Sequence, residues 1–403
     1  MASSKGRAVV VGGSIAGLFA ALLLRRRGWE VQLVERATEE LSGRGAGIVT
    51  HPELSLVLEC AGIAPPADFG VRVRERRVIG RDGRIIAAYA CPQIMTSWDR
   101  LWRLLRVALP DDVYVSGAEV VGVEQSDALV RARLADGRGL EAELLVGADG
   151  LRSAVRSEMV GEVRPIYAGY TAWRGLVAEA ALPAAAHRAL FDEFTFCLPE
   201  GEQMLGYPVA GPDNDLRPGH RRYNWVWYRP AEVRDALPDL LTDRDGTVHS
   251  VSIPPPLIRP DVIASMREAA ERLLAPAFAA VVGVTERPFL QPIYDLESPR
   301  LASGRVALIG DAAFVARPHV GAGTTKAALD ALALADALDR LPVGRALEAY
   351  EAMRRPAGQR ILRRARHLGA YIQADWSSDE ERSAAARHHT PQAVLEETAV
   401  LDF

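Results

Sequence analysis

The sequence predicts an α/β protein that combines an N-terminal β-α-β unit on a parallel sheet, a second sheet-based domain and a C-terminal helical segment. Three observations support this fold class. A strand–helix–strand pattern with a glycine turn covers residues 7–36, Trp, Tyr and Pro accumulate with strand-like stretches over residues 163–297, and residues 324–372 have a helical pattern with breaks expected near Pro342 and Pro356. The 403 residues, 49% of them hydrophobic, suffice for about two or three domains.

Charge and cysteine content exclude several classes of function. The formal net charge of -4 disfavours a nucleic-acid partner. The three cysteines lie far apart without a C-x-x-C pair, so we expect no disulfide framework, no metal site and a reducing, cytoplasmic location. Lysine occurs only at Lys5 and Lys326, and the motif G-x-x-x-x-G-K-[ST] is absent, which excludes a P-loop ATPase.

An uncharged stretch near the N-terminus needs its own interpretation. Residues 8–24 carry no charge, and three arginines follow them. The length of this stretch is at the lower limit for a membrane-spanning helix. However, glycines lie near the middle of the stretch, and no small-residue cleavage site follows the arginines. We therefore predict a cofactor turn here, and no stable membrane association.

The first motif that carries chemistry is that turn. Residues 12–17 match G-x-G-x-x-G, with Ser14 in the second glycine position. Such a turn lets the backbone approach a pyrophosphate, and the following helix directs its N-terminus toward the negative charge. Gly28 is placed to end this helix. Glu35 follows the second strand, 18 residues after Gly17, where a carboxylate can bind ribose hydroxyls. The order of elements predicts a dinucleotide site.

Two later strands each lead into a carboxylate. A hydrophobic strand over residues 144–147 precedes Asp149-Gly150, and another over residues 305–309 precedes Gly310-Asp311. Ligands bind at the carboxyl ends of the strands in α/β sheets. Glycines at 321 and 323 then begin a helix whose N–H groups can receive partial negative charge. We also expect a helix over 96–109 and short strands, with one hairpin, over 113–149.

Taken together, in this order and spacing, the three motifs resemble the p-hydroxybenzoate-hydroxylase-type (group A) FAD-dependent aromatic monooxygenases, over about residues 7–375. Shorter strings at 41–49, 167–175 and 317–319 are similar to the 2,6-dihydroxypyridine 3-monooxygenase branch. The resemblance implies a Rossmann-like FAD-binding domain and a substrate domain. The implied FAD-binding domain comprises 1–70, 97–162 and 298–375, the substrate domain 71–96 and 163–297, and the C-terminal tail 376–403. A homodimer is a family expectation.

The resemblance also implies a set of FAD contacts: Gly12, Ser14, Gly17, Glu35, Arg36, Gly47, Ile48, Asp149, Gly150, Asp311, Pro318, Gly321, Ala322, Gly323 and Thr324. The first three would hold the pyrophosphate, Glu35 the adenosine ribose and Asp311 the ribityl chain. Residues 321–324 would present N–H groups to the flavin pyrimidine. Asp149 and Gly150 would serve both FAD and the nicotinamide donor. NADH or NADPH would dock transiently, since the sequence has no second dinucleotide turn.

The sequence departs from the family pattern at three positions. Phe314 stands where the family often has histidine, and Thr325 replaces the usual asparagine. Trp98 aligns with a usual arginine, for which Arg100 or Arg103 are the candidate substitutes. These departures put one amide contact and one phosphate contact to FAD in question.

The implied reaction is NAD(P)H-consuming hydroxylation of a small electron-rich (N-hetero)aromatic such as a dihydroxypyridine, with O2 as co-substrate, through a flavin C4a-hydroperoxide. The protein would exclude water, orient the ring and help to deprotonate a ring hydroxyl. Histidine titrates near neutral pH, so His319 and His51 are the candidate proton handlers, with Pro318 near the reactive face. The candidate substrate contacts are Phe196, Tyr207, Trp225 and Tyr294.

Three alternatives stay open. Baeyer–Villiger oxidation or epoxidation is possible on the same scaffold. The second alternative is a flavin halogenase, because residues 225–230 superficially resemble the halogenase string W-x-W-x-I-P. However, Arg229 replaces isoleucine, and the lysine that halogenases need for catalysis is absent from residues 6 to 325. The third is a non-enzymatic flavin-binding sensor, and the aromatic-rich second domain argues against it. NADH consumption that rises on adding a hydroxypyridine would separate a hydroxylase from a sensor.

Overall fold

The computed structural model describes residues 4–41, 47–376 and 378–401. Its helices are α1 (Ile15–Arg26), α2 (Pro52–Cys60), α3 (Trp98–Ala108), α4 (Ala154–Val160), α5 (Ala184–Leu190), α6 (Ala236–Leu240), α7 (Pro260–Leu273), α8 (Pro276–Gly283), α9 (Gly323–Arg340), α10 (Val343–Gly369), α11 (Asp379–His388) and α12 (Pro391–Glu397).

The strands of the same residues are β1 (Arg7–Val11), β2 (Glu30–Glu35), β3 (Gly47–Val49), β4 (Val71–Ile79), β5 (Ile85–Ser97), β6 (Tyr114–Ser116), β7 (Val120–Gln125), β8 (Val130–Leu134), β9 (Gly139–Ala142), β10 (Leu144–Gly147), β11 (Ile166–Ala178), β12 (Phe194–Cys197), β13 (Gln203–Val209), β14 (Arg222–Pro230), β15 (Phe289–Glu297), β16 (Ala302–Ser303), β17 (Val306–Leu308) and β18 (Phe314–Val315).

The first sheet has the order β16-β17-β10-β1-β2-β6, and β17, β10, β1, β2 and β6 run parallel. The predicted β-α-β unit, the helix after residue 96 and the strands around the hairpin at 136–137 are confirmed. The uncharged residues 8–24 form most of β1, a turn and most of α1. Strand β1 and helix α1 are both buried in the core of this unit. Gly28 has φ +87°, a left-handed conformation suited to the end of a helix.

The second sheet has the order β18-β15-β11-β14-β13-β12-β4-β5-β3, and a smaller one has the order β7-β8-β9. The expected sheet-based second domain is confirmed. Helices α7 and α8, which the sequence pattern did not predict, cover one face of the large sheet. Side chains alternate along a strand, so Trp225 and Trp227 of β14 face these helices while Val226 and Tyr228 face the opposite side.

The C-terminal helices bear out one predicted break and correct the other. The chain breaks between α9 and α10 at Leu341-Pro342, as expected. The prediction of a break near Pro356 is wrong, since α10 continues through it. Pro356 lies on the exposed side, whereas Arg354 and Gly358 are buried on the packed side. Packing of the buried face therefore maintains the helix despite the missing backbone donor.

The segment predicted as a tail, residues 376–403, carries α11 and α12 in its described part. Helix α12 packs against β4 and β5 of the large sheet, with Val394 and Leu395 buried there. Across the described ranges, none of the helices combines the length and apolar character that crossing a bilayer requires. In the same ranges, His, Cys, Asp and Glu side chains form no group of three suited to a metal ion.

Candidate active site

Three corners of the fold meet at one cleft of about 640 Å³, at the carboxyl ends of β1, β2, β10 and β17. Nine of the predicted cofactor residues line this cleft, namely Gly12, Ser14, Glu35, Arg36, Gly47, Ile48, Asp149, Gly150 and Asp311. Residues 42–46 of the string that resembles the dihydroxypyridine branch lie outside the described residues. The parallel sheet thus brings together side chains that are up to about 300 positions apart in the sequence.

The glycine turn is shaped by close backbone contacts. A Cβ on Gly17 would lie 1.8 Å from the carbonyl oxygen of Gly12, and one on Gly12 would lie 2.4 Å from the carbonyl oxygen of Ala148. Gly12 also has φ +109°. Ser14 has φ -83°, which any residue adopts, so serine keeps the close approach that the motif requires. The cleft wall is therefore bare backbone at the N-terminus of α1.

Two carboxylates of the cleft already bind backbone N–H groups. Glu35 accepts hydrogen bonds from the N–H of Gly13 at 2.7 Å and of Ala37 at 2.9 Å. Asp149 accepts from Ser153 Oγ at 2.5 Å and from the N–H of Val155 at 3.1 Å, which caps α4. Burial raises the pKa of Asp149, and the Ser153 hydroxyl opposes this shift. Asp149 thus holds the cleft wall in shape as well as facing the cleft.

Asp311 follows the carboxyl end of β17, and its side chain is exposed to the cleft. Despite this exposure, desolvation by the protein around Asp311 raises the pKa of its carboxyl, and the positive charge of Lys326 opposes that shift. Lys326 is itself buried, and its Nζ donates to the carbonyl oxygen of Gly310 at 2.7 Å. Asp330 accepts from the N–H of Gly310 at 3.1 Å and from Arg354 Nε at 2.7 Å. This buried cluster fixes the turn that presents Asp311.

A smaller cavity of about 260 Å³ adjoins the cleft. Both are lined by Gly47, Ile48, Arg174, Gln291 and Asp311. The predicted residues Tyr207, Pro318, His319, Gly321, Gly323 and Thr324 line the small cavity, and Ala322 is buried directly before α9. Cleft and cavity therefore form one continuous space between the two large sheets, with the N-terminus of α9 at its inner end.

His319 is neutral in this cavity. Its Nε2 accepts a hydrogen bond from the Tyr170 hydroxyl at 2.9 Å, and its Nδ1 donates to Gln203 Oε1 at 3.0 Å. Burial, aided by the charges of Arg317 and Arg174, lowers the pKa of His319 to about 3. The expected pKa near neutrality therefore does not hold for His319. At neutral pH its imidazole is a weak proton acceptor, with both nitrogens engaged.

His51 lies farther back, at the start of α2. Its Nδ1 is 3.1 Å from Thr325 Oγ1, and its Nε2 is 3.4 Å from the carbonyl oxygen of Ala399. Burial lowers the pKa of His51 as well. Its ring lines another cavity, of about 770 Å³, rather than the small one beside Pro318. The structure thus separates the two histidines that the sequence grouped.

Of the four predicted substrate contacts, the structure places Tyr207 on the wall of the small cavity. Trp225 faces α7 and α8 and donates to Thr285 Oγ1 at 2.9 Å. Phe196 is buried behind Phe194, with the ring centroids 4.5 Å apart. Tyr294 packs on Tyr167 with centroids 5.6 Å apart. Strand parity decides the position of Trp225, because neighbouring residues of a strand face opposite sides of the sheet. Phe196 lies on the same side as Phe194 but does not line the cavity.

The three departures from the family pattern have distinct positions. Trp98 lines the cleft and stacks on Trp102, with the ring centroids 6.2 Å apart. Arg100 and Arg103 instead pair with Asp68 and Asp99, respectively. Neither of them lines the cleft. Phe314 is buried against Gly358, and Thr325 bonds His51.

Sequence reasoning missed two arginines of the site, and it counted Tyr228 among the aromatic residues of the second domain without choosing it as a substrate contact. Arg152 lines the cleft, Tyr228 lines the small cavity and Arg174 lines both. The Arg174 Nε is buried and has no hydrogen-bond partner within the described residues. A signal was present, since Arg174 belongs to the Trp-Arg-Gly string at 173–175. The string does not show which side of the sheet each residue faces. In the structure Arg174 faces the cavity, whereas Trp173 packs in the core on the other side.

These residues fit FAD. A bare-backbone turn suits a pyrophosphate, Glu35 a ribose, Asp311 a polyol chain, and the N-terminus of α9 an electron-rich ring edge. A Rossmann-like unit with these corners, joined to a sheet domain over one small cavity, defines a flavin-binding protein. Family models support this class: an NAD(P)-binding Rossmann-like domain matches residues 10–64, an FAD binding domain-like model residues 167–295 and an FAD binding domain residues 296–365.

The chain belongs to the p-hydroxybenzoate-hydroxylase-type (group A) FAD-dependent aromatic monooxygenases. It is 31% identical to the 2,6-dihydroxypyridine 3-monooxygenase of Paenarthrobacter nicotinovorans, covering 96% of both chains. It is 32% identical to the 3-amino-4-hydroxybenzoate 2-monooxygenase of Streptomyces cremeus, over 90% of this chain and 86% of the relative. The solved 2,6-dihydroxypyridine-3-hydroxylase of Arthrobacter nicotinovorans superposes with a TM-score of 0.86 at 30% identity, over 94% and 96% of the two chains. The predicted family and cofactor FAD are confirmed.

Proposed function

We propose that this enzyme hydroxylates a small, electron-rich aromatic ring of the dihydroxypyridine or hydroxybenzoate class, using NADH or NADPH as reductant and O2 as oxygen donor. The observation that carries the proposal is the small cavity of about 260 Å³ that continues from the cofactor cleft. Its aromatic walls at Phe194, Tyr207 and Tyr228 suit a flat ring.

The charge in this cavity favours a substrate that carries an ionised hydroxyl. Arg174 lines the cavity, and its Nε has no hydrogen-bond partner among the described residues. Arg174 is half-buried, and a guanidinium in such a position lowers the free energy of a bound anion, so it promotes loss of a proton from a ring hydroxyl. Ionisation makes the ring more electron-rich, which hydroxylation requires. We assign Arg174 as the anchor for that oxygen.

The remaining predicted residues take supporting roles in the proposal. Bound FAD supplies the activated oxygen. Pro318 forms part of the wall beside the flavin, and neutral His319 orients Tyr170 and Gln203 rather than carrying a proton away. His51 holds the base of α9 through Thr325. The buried walls exclude water, which would otherwise compete for the oxygen.

The proposal is tested on the purified FAD-loaded protein with a panel of hydroxypyridines, phenols and hydroxybenzoates. NADH and NADPH oxidation are measured with and without each compound, and mass spectrometry looks for a product heavier by one oxygen. An aromatic that stimulates oxidation and gains an oxygen at a ring carbon supports the proposal. A panel in which no compound is oxygenated contradicts it, as does oxygen insertion beside a carbonyl.

A variant tests the role of Arg174. Arg174→Met is expected to raise the KM for the active aromatic roughly tenfold or more, because a charge-assisted hydrogen bond is lost. Arg84→Met, which alters an exposed arginine of the loop between β4 and β5, is the matched control and should leave the KM unchanged. Equal KM values for the two variants would remove Arg174 from substrate binding.

A further inference from the structure

A C-terminal segment, residues 390–401, returns to the active site from the far end of the chain. Two of its residues, Thr398 and Ala399, line the small cavity together with Tyr207 and Gly321. The N–H of Ala399 donates to the carbonyl oxygen of His319 at 2.7 Å. The sequence pattern gave this polar segment no role, yet it supplies part of the wall around the proposed substrate.

One buried arginine of the large sheet binds this segment. Arg76 on β4 has no exposed surface. Its Nη1 donates to the carbonyl oxygens of Leu395, at 2.8 Å, and Thr398, and its Nη2 to that of Ala399 at 3.3 Å. The other acceptor is Gln93 Oε1, at 3.0 Å from Nε and 2.8 Å from Nη2.

All of these acceptors are neutral. Within the described residues, no carboxylate hydrogen-bonds to Arg76. The carbonyls around the C-terminus of α12 carry partial negative charge, which stabilises a buried cation. Since backbone carbonyls do the binding, Arg76 fixes the path of the segment rather than the identity of its side chains. Removing the segment would leave a buried, unpaired charge.

The last turn of the segment is held in a strained shape. Ala399 has φ +52°, a left-handed conformation that alanine rarely adopts. Strain of this kind persists where several contacts enforce it. Here Arg76, the carbonyl oxygen of His319 and the His51 ring all contact the backbone of Ala399. The Ala399 Cβ also approaches Gly321 so closely that a Cβ there would lie 2.6 Å away.

We propose that residues 390–401 form a fixed outer wall of the aromatic-ligand cavity, and that Arg76 is the positioning residue that holds this wall closed against water. The identity of the cavity's ligand rests on the proposed function. Closure of the wall is independent of the proposed function, because it follows from the contacts between Arg76 and the backbone of the segment. A closed wall keeps water away from the flavin, so oxygen is transferred to the ring instead of being released as H2O2.

The first test uses the FAD-loaded Arg76→Met variant. Hydrogen–deuterium exchange of residues 390–401 should become at least roughly tenfold faster, because the backbone acceptors lose their donor. Iodide should also quench the flavin fluorescence of this variant more strongly than that of the wild type, since the cavity opens to solvent. Arg222→Met is the matched control: Arg222 also donates to a backbone carbonyl, that of Ala210 at 3.1 Å, but away from the segment. It should leave exchange and quenching at wild-type values.

With an active aromatic, the share of NAD(P)H electrons that ends as H2O2 should rise severalfold in Arg76→Met, while the FAD content stays the same. Arg76→Lys should recover part of the coupling, because lysine keeps the charge but reaches fewer carbonyls. Unchanged exchange and quenching in Arg76→Met would overturn the proposal. Faster exchange with unchanged H2O2 release would also overturn it, since the wall would then have no part in coupling.

A second variant covers the case in which Arg76→Met does not fold. Leu395→Ala removes a buried side chain of α12 and leaves Arg76 and the cavity-lining residues in place. It should give the same faster exchange and stronger quenching, and wild-type values would overturn the proposal. Exchange and quenching need no substrate, so they separate this proposal from the proposed function. If the whole panel stays unoxygenated, the proposed function fails while these two readouts still decide on the wall.

Discussion

The Tyr170 hydroxyl donates a hydrogen bond to Nε2 of His319, with 2.9 Å between the oxygen and the nitrogen. Because Gln203 Oε1 only accepts, the proton of the neutral imidazole lies on Nδ1, which is 3.0 Å from that oxygen. Both ring nitrogens are thus satisfied. The imidazole is held in one tautomer at the edge of the cavity, and protonating it would break the bond from Tyr170.

This pair predicts how stability depends on pH. The folded pKa of His319 is about 3, below the unfolded value near 6.5. The unfolded chain therefore takes up a proton first, and the contribution of His319 to stability is complete above pH 6.5 and is lost as the pH falls toward 3. Between pH 6.5 and 4.5 the wild type should lose about 2 kcal/mol more than His319→Gln.

Urea unfolding of both proteins across that pH range measures the difference. His389→Gln, at an exposed position between α11 and α12, is the control and should follow the wild type. Parallel pH curves for the wild type and His319→Gln would show that His319 does not have the depressed pKa.

The glycine turn predicts an effect on both folding and cofactor binding. Alanine at position 17 would place its Cβ 1.8 Å from the carbonyl oxygen of Gly12, and backbone has to move to relieve that contact. Gly17→Ala should cost about 3 kcal/mol of unfolding free energy and yield protein without flavin absorbance. Gly344→Ala in α10 has open space around its Cβ and should keep both. A yellow, fully stable Gly17→Ala protein would contradict the assigned turn.

Glu35 should contribute to FAD affinity through its charge and its two acceptor oxygens. It already binds the N–H groups of Gly13 and Ala37, so it is preorganised at the cleft. Glu35→Gln leaves one acceptor and no charge, and the dissociation constant of FAD should rise about tenfold. Fluorescence titration of the apoprotein measures this constant. Glu39→Gln alters an exposed neighbour and should leave it unchanged; a similar rise in both variants would argue against a specific role.

Replacing Pro356 in α10 should increase the stability of the protein. Pro356 lies on the exposed side of α10 and has no N–H to donate to the carbonyl of Ala352. Pro356→Ala restores that hydrogen bond and should stabilise the protein by about 1–3 kcal/mol, seen as a higher Tm. Pro218→Ala, in an exposed turn, should leave the Tm unchanged or lower it. A lower Tm for Pro356→Ala would mean that α10 depends on its proline.

Strand parity explains why Trp225, which the sequence analysis predicted as a substrate contact, faces away from the cavity. Trp225 and Tyr228 are three positions apart on β14, yet Trp225 packs on helices and Tyr228 lines the cavity. Both faces of this strand are apolar, because helices cover one side and the cavity lies on the other. A pattern that is apolar on both faces does not identify the side that binds a ligand.

The sequence alone determined the features that depend on local backbone chemistry. The turn at 12–17, the acid at the end of β2 and the carboxylates after β10 and β17 are all set by glycine geometry and strand ends, which a short window of residues encodes. Tertiary structure decided the rest. The pKa of His319 depends on burial by residues far along the chain, Arg174 becomes a cavity residue through the face of β11, and residues 390–401 become a cavity wall only because Arg76, over 300 positions earlier, binds their carbonyls. Burial and long-range contacts have no signature in a local pattern.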